Sequence, residues 1–460
     1  MLDQNIAREV LARAVSTGGD FAEIFMEDRI DHSILMRSGR IETVNTGRLH
    51  GAGVRVFSGT NAVYVHTNDT SREGLLACAE QAASAVRGGK GCVLVPFSPV
   101  DVSNPGEILL LPTDVKAALK AEKVRAADAA ARRISKEIVQ VNVNYTDHVQ
   151  NVLICNTEGV FVTDRRVRTR LSTSAVASNG TENQTGSDNP GASMGFEIFD
   201  SRIDPDRVGE TAARQAVTML HAPVCPAGVM PVVIENGFGG VIFHEACGHA
   251  LEATSVGRNC SVFCSKLGQK IAADCVTAVD DGTIPNAWGS INIDDEGQPA
   301  QRKVLIENGV LKGYMIDRLG SRRMGMPMTG SGRRQDYTYA PTSRMTNTFI
   351  CAGNDDNEEM IATMGDGLYA AQMGGGSVNP VTGEFNFAVN EGYLVRDGKI
   401  AEPVRGATLI GKGAEILMKI DRVGDNLLTA QGVCGSMSGS VRTDVGQPRL
   451  RVSSITVGGR

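Results

Sequence analysis

Six residues, His244-Glu245-Ala246-Cys247-Gly248-His249, constrain this chain more than any other stretch. They set two imidazoles, a carboxylate and a thiol behind an apolar lead-in, Val241-Ile242-Phe243. The lead-in seats a helix in a core, and burying such polar groups beside it is costly unless they are paired or metal-bound. Two histidines close in sequence suit a divalent metal, most often zinc. Their spacing is i, i+5, which on a regular α-helix separates the side chains by roughly 140°. If both bind one ion, the helix must contain a π-type turn or loosen at Gly248, a residue type that permits either. The bland alternative is a pair of hydrogen-bonded core histidines. Glu245 could take a proton from a metal-bound water. A hydrolytic site needs a third protein ligand. Cys247, Glu252 and the distant Cys434, in Gln431-Gly432-Val433-Cys434-Gly435-Ser436, are all candidates, and the spacing does not choose among them.

A chain of 460 residues is too long for one core. The proline-flanked stretch 223–231 reads as a boundary, giving units 1–222 and 223–460. The formal net charge of −6 gives no electrostatic reason to expect nucleic acid or an anionic membrane as partner. The first 17 residues read as an amphipathic helix rather than a targeting signal, and no apolar run approaches the ~20 residues of a membrane span. The 10 cysteines are scattered without a paired framework, which fits reduced thiols in a cytoplasm.

Ile6, Val10, Leu11 and Ala14 form a helical stripe. Strands follow over 21–66, where Val54, Val56, Val63 and Val65 alternate with polar or small residues and Ser38-Gly39 and Ser58-Gly59 mark turns. Thr70-Ser71-Arg72-Glu73 is a capping-box pattern opening a helix through Leu75, Ala79 and Val86. A connection over 88–112 leads to a helix that follows Thr113-Asp114 and ends near Ile134. Val139, Val141, Val143 and Tyr145 predict a strand, with further strands over 149–155, 160–163 and 167–177. The polar tract 179–192 reads as a loop or flap, and Asp204-Pro205 opens another helix. Past 231 the pattern is mostly β, with one helix at the His244–His249 stretch. Asn308-Gly309 and Asp397-Gly398 mark hairpins. The fold expected is therefore α+β: an N-terminal unit of layered strands and helices, then a β-rich unit carrying one metal-binding helix.

The chain resembles the TldD/TldE (PmbA) family of bacterial and archaeal peptidases, in its metal-bearing TldD type. The resemblance is carried by His244-Glu245-Ala246-Cys247-Gly248-His249 with Leu251-Glu252, Thr254-Ser255-Val256, Val279-Asp280-Asp281-Gly282-Thr283 and Ile293-Asp294-Asp295-Glu296-Gly297. It continues through Val304-Leu305-Ile306-Glu307-Asn308-Gly309, Arg344-Met345-Thr346-Asn347-Thr348, Gly374-Gly375-Gly376, Gly406-Ala407-Thr408-Leu409-Ile410-Gly411 and Gly432-Val433-Cys434-Gly435. It implies a zinc peptidase acting on unfolded or short polypeptides, with His244, His249 and Cys434 as ligands and Glu245 as acid/base. It also implies a dimer enclosing a cavity, formed with itself or with a TldE-like subunit, and a substrate lying extended against a strand. Two departures stand out: a thiol at Cys247 where such proteins more often carry an aliphatic residue, and Ser436-Met437-Ser438-Gly439 in place of a Lys-x-Gly-Gln run.

On this reading Arg334, Tyr337 and Tyr339 are candidates to stabilise the oxyanion, against ordinary strand and surface roles. Gly375 and Gly376, near an edge strand over 374–378, are candidates for backbone contact with substrate. Two other classes compete. One is a non-catalytic peptide-binding or structural subunit. The other is a Cys247–Cys434 redox pair with zinc as a closed structural clamp.

Overall fold

The computed structural model describes residues 2–86, 91–102, 106–379 and 382–459. Residues 88–90 and 103–105 of the expected 88–112 connection lie outside the described residues. Helix α1 (Gln4–Ala14) opens at Asp3, whose side chain accepts from Asn5 N–H, and buries Val10, Leu11 and Ala14. Strands β1 (Phe21–Arg37) and β2 (Arg40–Ser58) pair along their lengths around a turn in which Ser38 and Gly39 take positive φ. Strand β3 (Asn61–Thr67) follows. Helix α2 (Arg72–Ser84) is capped by Ser71, which accepts from Gly74 N–H at 3.1 Å. The cap falls one residue later than the pattern predicts because the Thr70 hydroxyl is bonded to His50 instead, at 2.8 Å.

The rest of the first unit is α3 (Ala117–Ile134), β4 (Ile138–Asn156), β5 (Phe161–Ser178), β6 (Asn183–Asp188), β7 (Gly191–Ala192), α4 (Ile198–Ser201) and α5 (Pro205–His221). One antiparallel sheet results, in the order β3-β2-β1-β4-β5-β6, with β7 beside β5. The segments expected at 149–155 and 160–177 belong to the two long strands β4 and β5. Val139 is exposed despite its pattern, because the ladder slips between Ile138 and Gln140 and rotates it off the buried face. The tract over 179–192 is not a flap. It supplies β6 and β7, whose polar side chains conceal regular backbone pairing to β5.

Period-2 alternation gives this sheet two different faces. Ala22, Ile24, Ile34 and Met36 of β1 face the helices, in cores shared with α1, α2, α3 and α5. Glu23, Phe25, Glu27 and Arg29 point the other way, toward the second half of the chain.

That half begins with β8 (Gly228–Ile234), β9 (Ala278–Asp281), β10 (Arg302–Glu307), β11 (Val310–Leu311), β12 (Gly332–Arg333), β13 (Thr342–Ser343) and β14 (Asn347–Ile350). It continues with β15 (Gly367–Val378), β16 (Glu384–Arg396), β17 (Lys399–Val404), β18 (Thr408–Lys412), β19 (Ile420–Val423), β20 (Leu428–Ser436), β21 (Gly439–Gln447) and β22 (Leu450–Gly458). One sheet runs β11-β10-β9-β14-β21-β20. Another runs β15-β8-β22-β18-β16-β17, and because β15 also pairs with β16 its ladders close into a ring. Among the described residues no ladder joins these sheets to β1–β7. Both expected hairpins form, with Asn308, Gly309, Asp397 and Gly398 all at positive φ. The single helix expected here is joined by four more, Ala253–Val256, Arg318–Met324, Asn357–Ala362 and Gly413–Lys419. At four to seven residues each, they are too short for a readable helical period.

Buried charge joins the two halves. Arg55 binds Glu23 at 3.0 Å and also Glu296, Arg334 reaches Glu23 at 3.1 Å, and Arg166 reaches Asp295 at 2.6 Å. Glu27 accepts from Tyr337 N–H at 2.9 Å, and burial, opposed by Arg29, pushes its carboxyl up to about 7. Burial and Glu296 push Asp294 and Asp317 in the same direction. Such groups bind more protons folded than unfolded, so stability is full at low pH and declines as pH rises from the ordinary carboxyl value through 7. Glu27→Gln should remove about 3 kcal/mol of that decline. Urea unfolding at pH 5 and pH 8 would measure it, and equal pH slopes for the two proteins would contradict the assignment.

Candidate metal centre

Val241, Ile242 and Phe243 are buried in the large core of the second half and anchor the helix that follows. Its start lies so close to β21 that a Cβ on Gly240 would sit 2.4 Å from the Gly446 backbone, so only glycine fits there. From His244 to Gly248 the helix is π, and His249 N–H donates to the His244 carbonyl, an i to i+5 bond. One helical residue of extra winding thus turns two side chains that a regular helix would separate onto the same side. The rings meet edge to face with centroids 5.3 Å apart. Gly248 itself has ordinary helical angles, φ −55° and ψ −52°. Its hydrogen is required for space, because a Cβ would lie 2.3 Å from the sulfur of buried Met345.

Cys434 arrives from β20, 185 residues beyond His249, with its Sγ 3.1 Å from His249 Nε2. One donor atom each from His244, His249 and Cys434 lie within 4.8 Å of one another. Burial opposes charge on both His249 and Cys434. Even so, Glu252 and Cys434 hold the His249 imidazole well above its ordinary value, and His244 and His249 hold the Cys434 thiol down to about 4. These shifts describe one pair, a thiolate beside an imidazolium, and a cation bound there would take the place of the His249 proton. His244 Nδ1 is buried with no hydrogen-bond partner among the described residues, the condition of an atom that lacks an acceptor of its lone pair or proton. Two imidazoles and a thiolate fit a borderline divalent cation.

The other candidate ligands are elsewhere. Cys247 is fully buried with its Sγ toward the Gly413 carbonyl, and burial raises its thiol far above the ordinary range. It is a free thiol, as is Cys434, and does not belong to the donor cluster. Glu252 accepts from His249 Nδ1 at 3.1 Å, so it orients a ligand and does not join the cluster. Glu245 is half-exposed, with its carboxylate 3.7 Å from His249 Nε2.

Arg344 was not singled out by its residue type, yet it ties this centre together. It is fully buried and donates to the Cys434 carbonyl at 2.6 Å, to Ser438 Oγ at 3.1 Å and to the Gly439 carbonyl at 2.8 Å. Its Nε faces Glu252 at 3.8 Å. The unusual Ser436–Gly439 segment is thus the turn of the β20–β21 hairpin, with Ser438 buried as an anchor for Arg344. The only signal in the sequence was Arg344's place in the motif Arg344-Met345-Thr346-Asn347-Thr348.

Arg334 and Tyr337 sit at the seam with the N-terminal sheet. Arg334 donates to Glu23, to the Asp295 carbonyl and to Tyr64, and Tyr337 packs its ring against Gly51. Tyr339 offers its carbonyl to Arg334. Gly375 and Gly376 are exposed on β15, which among the described residues meets β8 at 368–370 and has no ladder farther along on that side. None of these five belongs to the His244–His249–Cys434 cluster.

The geometry makes the thiols separable. Cys434→Ser should lower bound metal severalfold, whereas Cys247→Ser should leave it unchanged, as read by elemental analysis of the purified proteins. The reverse pattern would exchange their roles.

Three family models match successive parts of the chain. Residues 227–459 match the PmbA/TldA metallopeptidase C-terminal domain, 110–220 its central domain and 22–86 its domain 1. The chain is 37% identical to the metalloprotease TldD homolog of Haemophilus influenzae, over 96% of this chain and 93% of that one. It is 34% identical to a metalloprotease of Methanothermobacter thermautotrophicus, over 94% and 97% of the two chains. Its fold superposes on the crystal structure of TldE from Thermococcus kodakarensis with a TM-score of 0.76 and 20% identity, over 98% of this chain and all of the other. With the donor cluster and these matches along its whole length, the chain belongs to the PmbA/TldD family as a TldD-type metallopeptidase.

Proposed function

We propose that this protein is a zinc peptidase that hydrolyses unfolded or short polypeptides, with His244, His249 and Cys434 holding the metal. The observation that carries the reading is the convergence of those three donors within 4.8 Å, beside a half-exposed carboxylate on Glu245. Zinc in such a site polarises the scissile carbonyl and acidifies water. Glu245 takes the proton of the attacking water and delivers it to the leaving amine. Glu252 holds His249 in one tautomer, and Arg344 fixes the strand that carries Cys434.

Selectivity for extended chains follows from strand addition, in which main-chain groups do the binding. Gly375 serves this role on the unpaired side of β15, where a Cβ would meet nothing within 4 Å, while the bare Cα of Gly376 lets β16 approach at Asn386 and Phe387 and holds the strand in place. Arg334 and Tyr337 contribute as walls of the seam, since their polar groups already serve Glu23, Asp295 and Glu27. The protein acts as a dimer around an enclosed cavity, with itself or with a TldE-like subunit. Its likeness in fold to TldE supports the second pairing. The absence of ladders between the two halves supports their division into units 1–222 and 223–460. A cytoplasmic setting is supported by ten cysteines that all remain free thiols. Among the described residues no helix is long and apolar enough to cross a membrane.

The decisive variant is Glu245→Gln. It should keep its metal but lose at least about a hundredfold in cleavage of an unstructured peptide such as a casein fragment, the scale of a general acid–base contribution. Cleavage at the wild-type rate by a metal-loaded variant would sink the acid/base role.

A further inference from the structure

A cavity of about 490 Å³ lies between the N-terminal sheet and the β20–β21 hairpin. A second, of about 280 Å³, adjoins it, and His148, Arg168 and Arg442 line both. The hairpin is the one that carries Cys434. Val433 and its cross-strand partner Arg442 line the larger cavity one residue out of phase with that ligand. The site is therefore next to the metal centre in the chain and distinct from it in space.

The charge on these walls is unbalanced. Arg168, Arg170, Arg333 and Arg442 line them, and none has a carboxylate within ion-pair distance among the described residues. Arg168 is buried and donates to the carbonyls of Trp288 at 2.8 Å and Ser290 at 3.0 Å. Arg333 is buried and donates to the carbonyls of Met345 and Arg442. Carbonyls satisfy the donors but do not neutralise the charge. Arg170 and Arg442 lie over the Trp288 ring, 5.4 and 5.9 Å from its centroid, and the Arg442 guanidinium donates no hydrogen bond and makes no ion pair among the described residues, with Asp31 the carboxylate that acts on it from farther away. The wall carboxylates are already matched: Asp31 to Arg29, Asp147 to Lys120 and His32, and Asp295 to Arg166. Nearby Asp444 accepts from Trp288 N–H and Gln431, and burial pushes its carboxyl up to about 7.

Gathering like charges at a partly buried surface is unfavourable unless a counter-charge is supplied. Burial, then Arg333, Arg166 and Arg442, pull Arg168 well below the ordinary arginine value, which is the same conflict in another form. The geometry points to an anion-binding site here, one that takes a peptide carboxylate, from a side chain or from the C-terminus. Guanidinium forks match carboxylates in shape as well as charge. The choice of a peptide carboxylate over another oxyanion rests on the peptidase reading, because each hydrolysis of an amide releases a new carboxylate along with the amine.

The chain supplies its own reporter. Trp288 is its one tryptophan and lines the larger cavity. Metal-loaded protein is titrated at low salt while Trp288 fluorescence is followed, with four probes: N-acetyl triglutamate amide, N-acetyl triglutamine free acid, N-acetyl triglutamine amide and inorganic phosphate. A saturable change with the triglutamate amide identifies side-chain carboxylates as the ligand; one with the triglutamine acid identifies the C-terminal carboxylate. Either should weaken by about tenfold or more in Arg442→Gln, the worth of one charge-assisted hydrogen bond. Arg442→Gln should melt no lower than wild type, because it removes a repulsive charge. If it does not fold, Arg170→Gln replaces it. Equal binding of the neutral triglutamine amide, binding of phosphate alone, or unchanged affinity in the folded variant would each overturn the proposal. The titration reads binding rather than cleavage, and mass spectrometry of the probes confirms that they stay intact, so its outcome is independent of the Glu245→Gln result.

Discussion

One backbone hydrogen bond, from His249 N–H to the His244 carbonyl, brings the two imidazoles of this chain to one side of their helix. Without that extra residue of winding the two imidazoles would leave the helix in different directions. A π turn is less favourable than a continuous α-helix, so something must hold it. Here the supports are packing constraints. Gly240 lets the start of the helix touch β21, Gly248 makes room for Met345, and Val241, Ile242 and Phe243 are locked in the core. The irregular turn is the arrangement that satisfies all of these contacts together.

The second requirement is that a strand far along the chain deliver Cys434 to the same point. The β20–β21 hairpin does this, and Arg344 secures it by binding the Cys434 carbonyl and the turn beyond, while its Nε faces the Glu252 that orients His249. Helix and hairpin are thus coupled through one buried guanidinium. The same hairpin meets the N-terminal sheet on its other side, where arginines replace the apolar contacts usual between packed layers. The helix-covered face of that sheet is apolar and structural. Its other face carries Glu23, Glu27, Arg55 and Arg166, which bind the second half of the chain by ion pairs and hydrogen bonds beside an apolar patch of Phe25, Val152, Ile154 and Val162 against Ile293 and Tyr337.

Local patterns were legible where local physics sets them. The long period-2 stretches became β1, β2, β4 and β5, and the Asn-Gly and Asp-Gly pairs became turns with left-handed residues. Reading failed where a partner supplies what the residues lack. The tract over 179–192 is a strand because β5 offers it a ladder, although its own side chains suggest a loop. The short helices of the second half carry too few residues for periodicity to appear. Glu252 looked like a ligand because glutamate is one in other metal sites; here its distance from His249 Nδ1 makes it a support.

By itself, the sequence determined the chemistry available: two histidines at i, i+5, a glutamate next to the first, and a need for an irregular turn if they were to act together. Residue types and their spacing are enough for that, since helix geometry is nearly invariant. Only the tertiary structure decided the rest. It brought Cys434 and not Cys247 beside the two histidines, turned Gly248 from a source of backbone freedom into a packing contact, made Arg344 central, and gathered behind the Cys434 strand four arginines with no carboxylate at ion-pair distance among the described residues. Each of these depends on which distant segments become neighbours, and that is set by the burial of whole sheet faces rather than by any local run of residues.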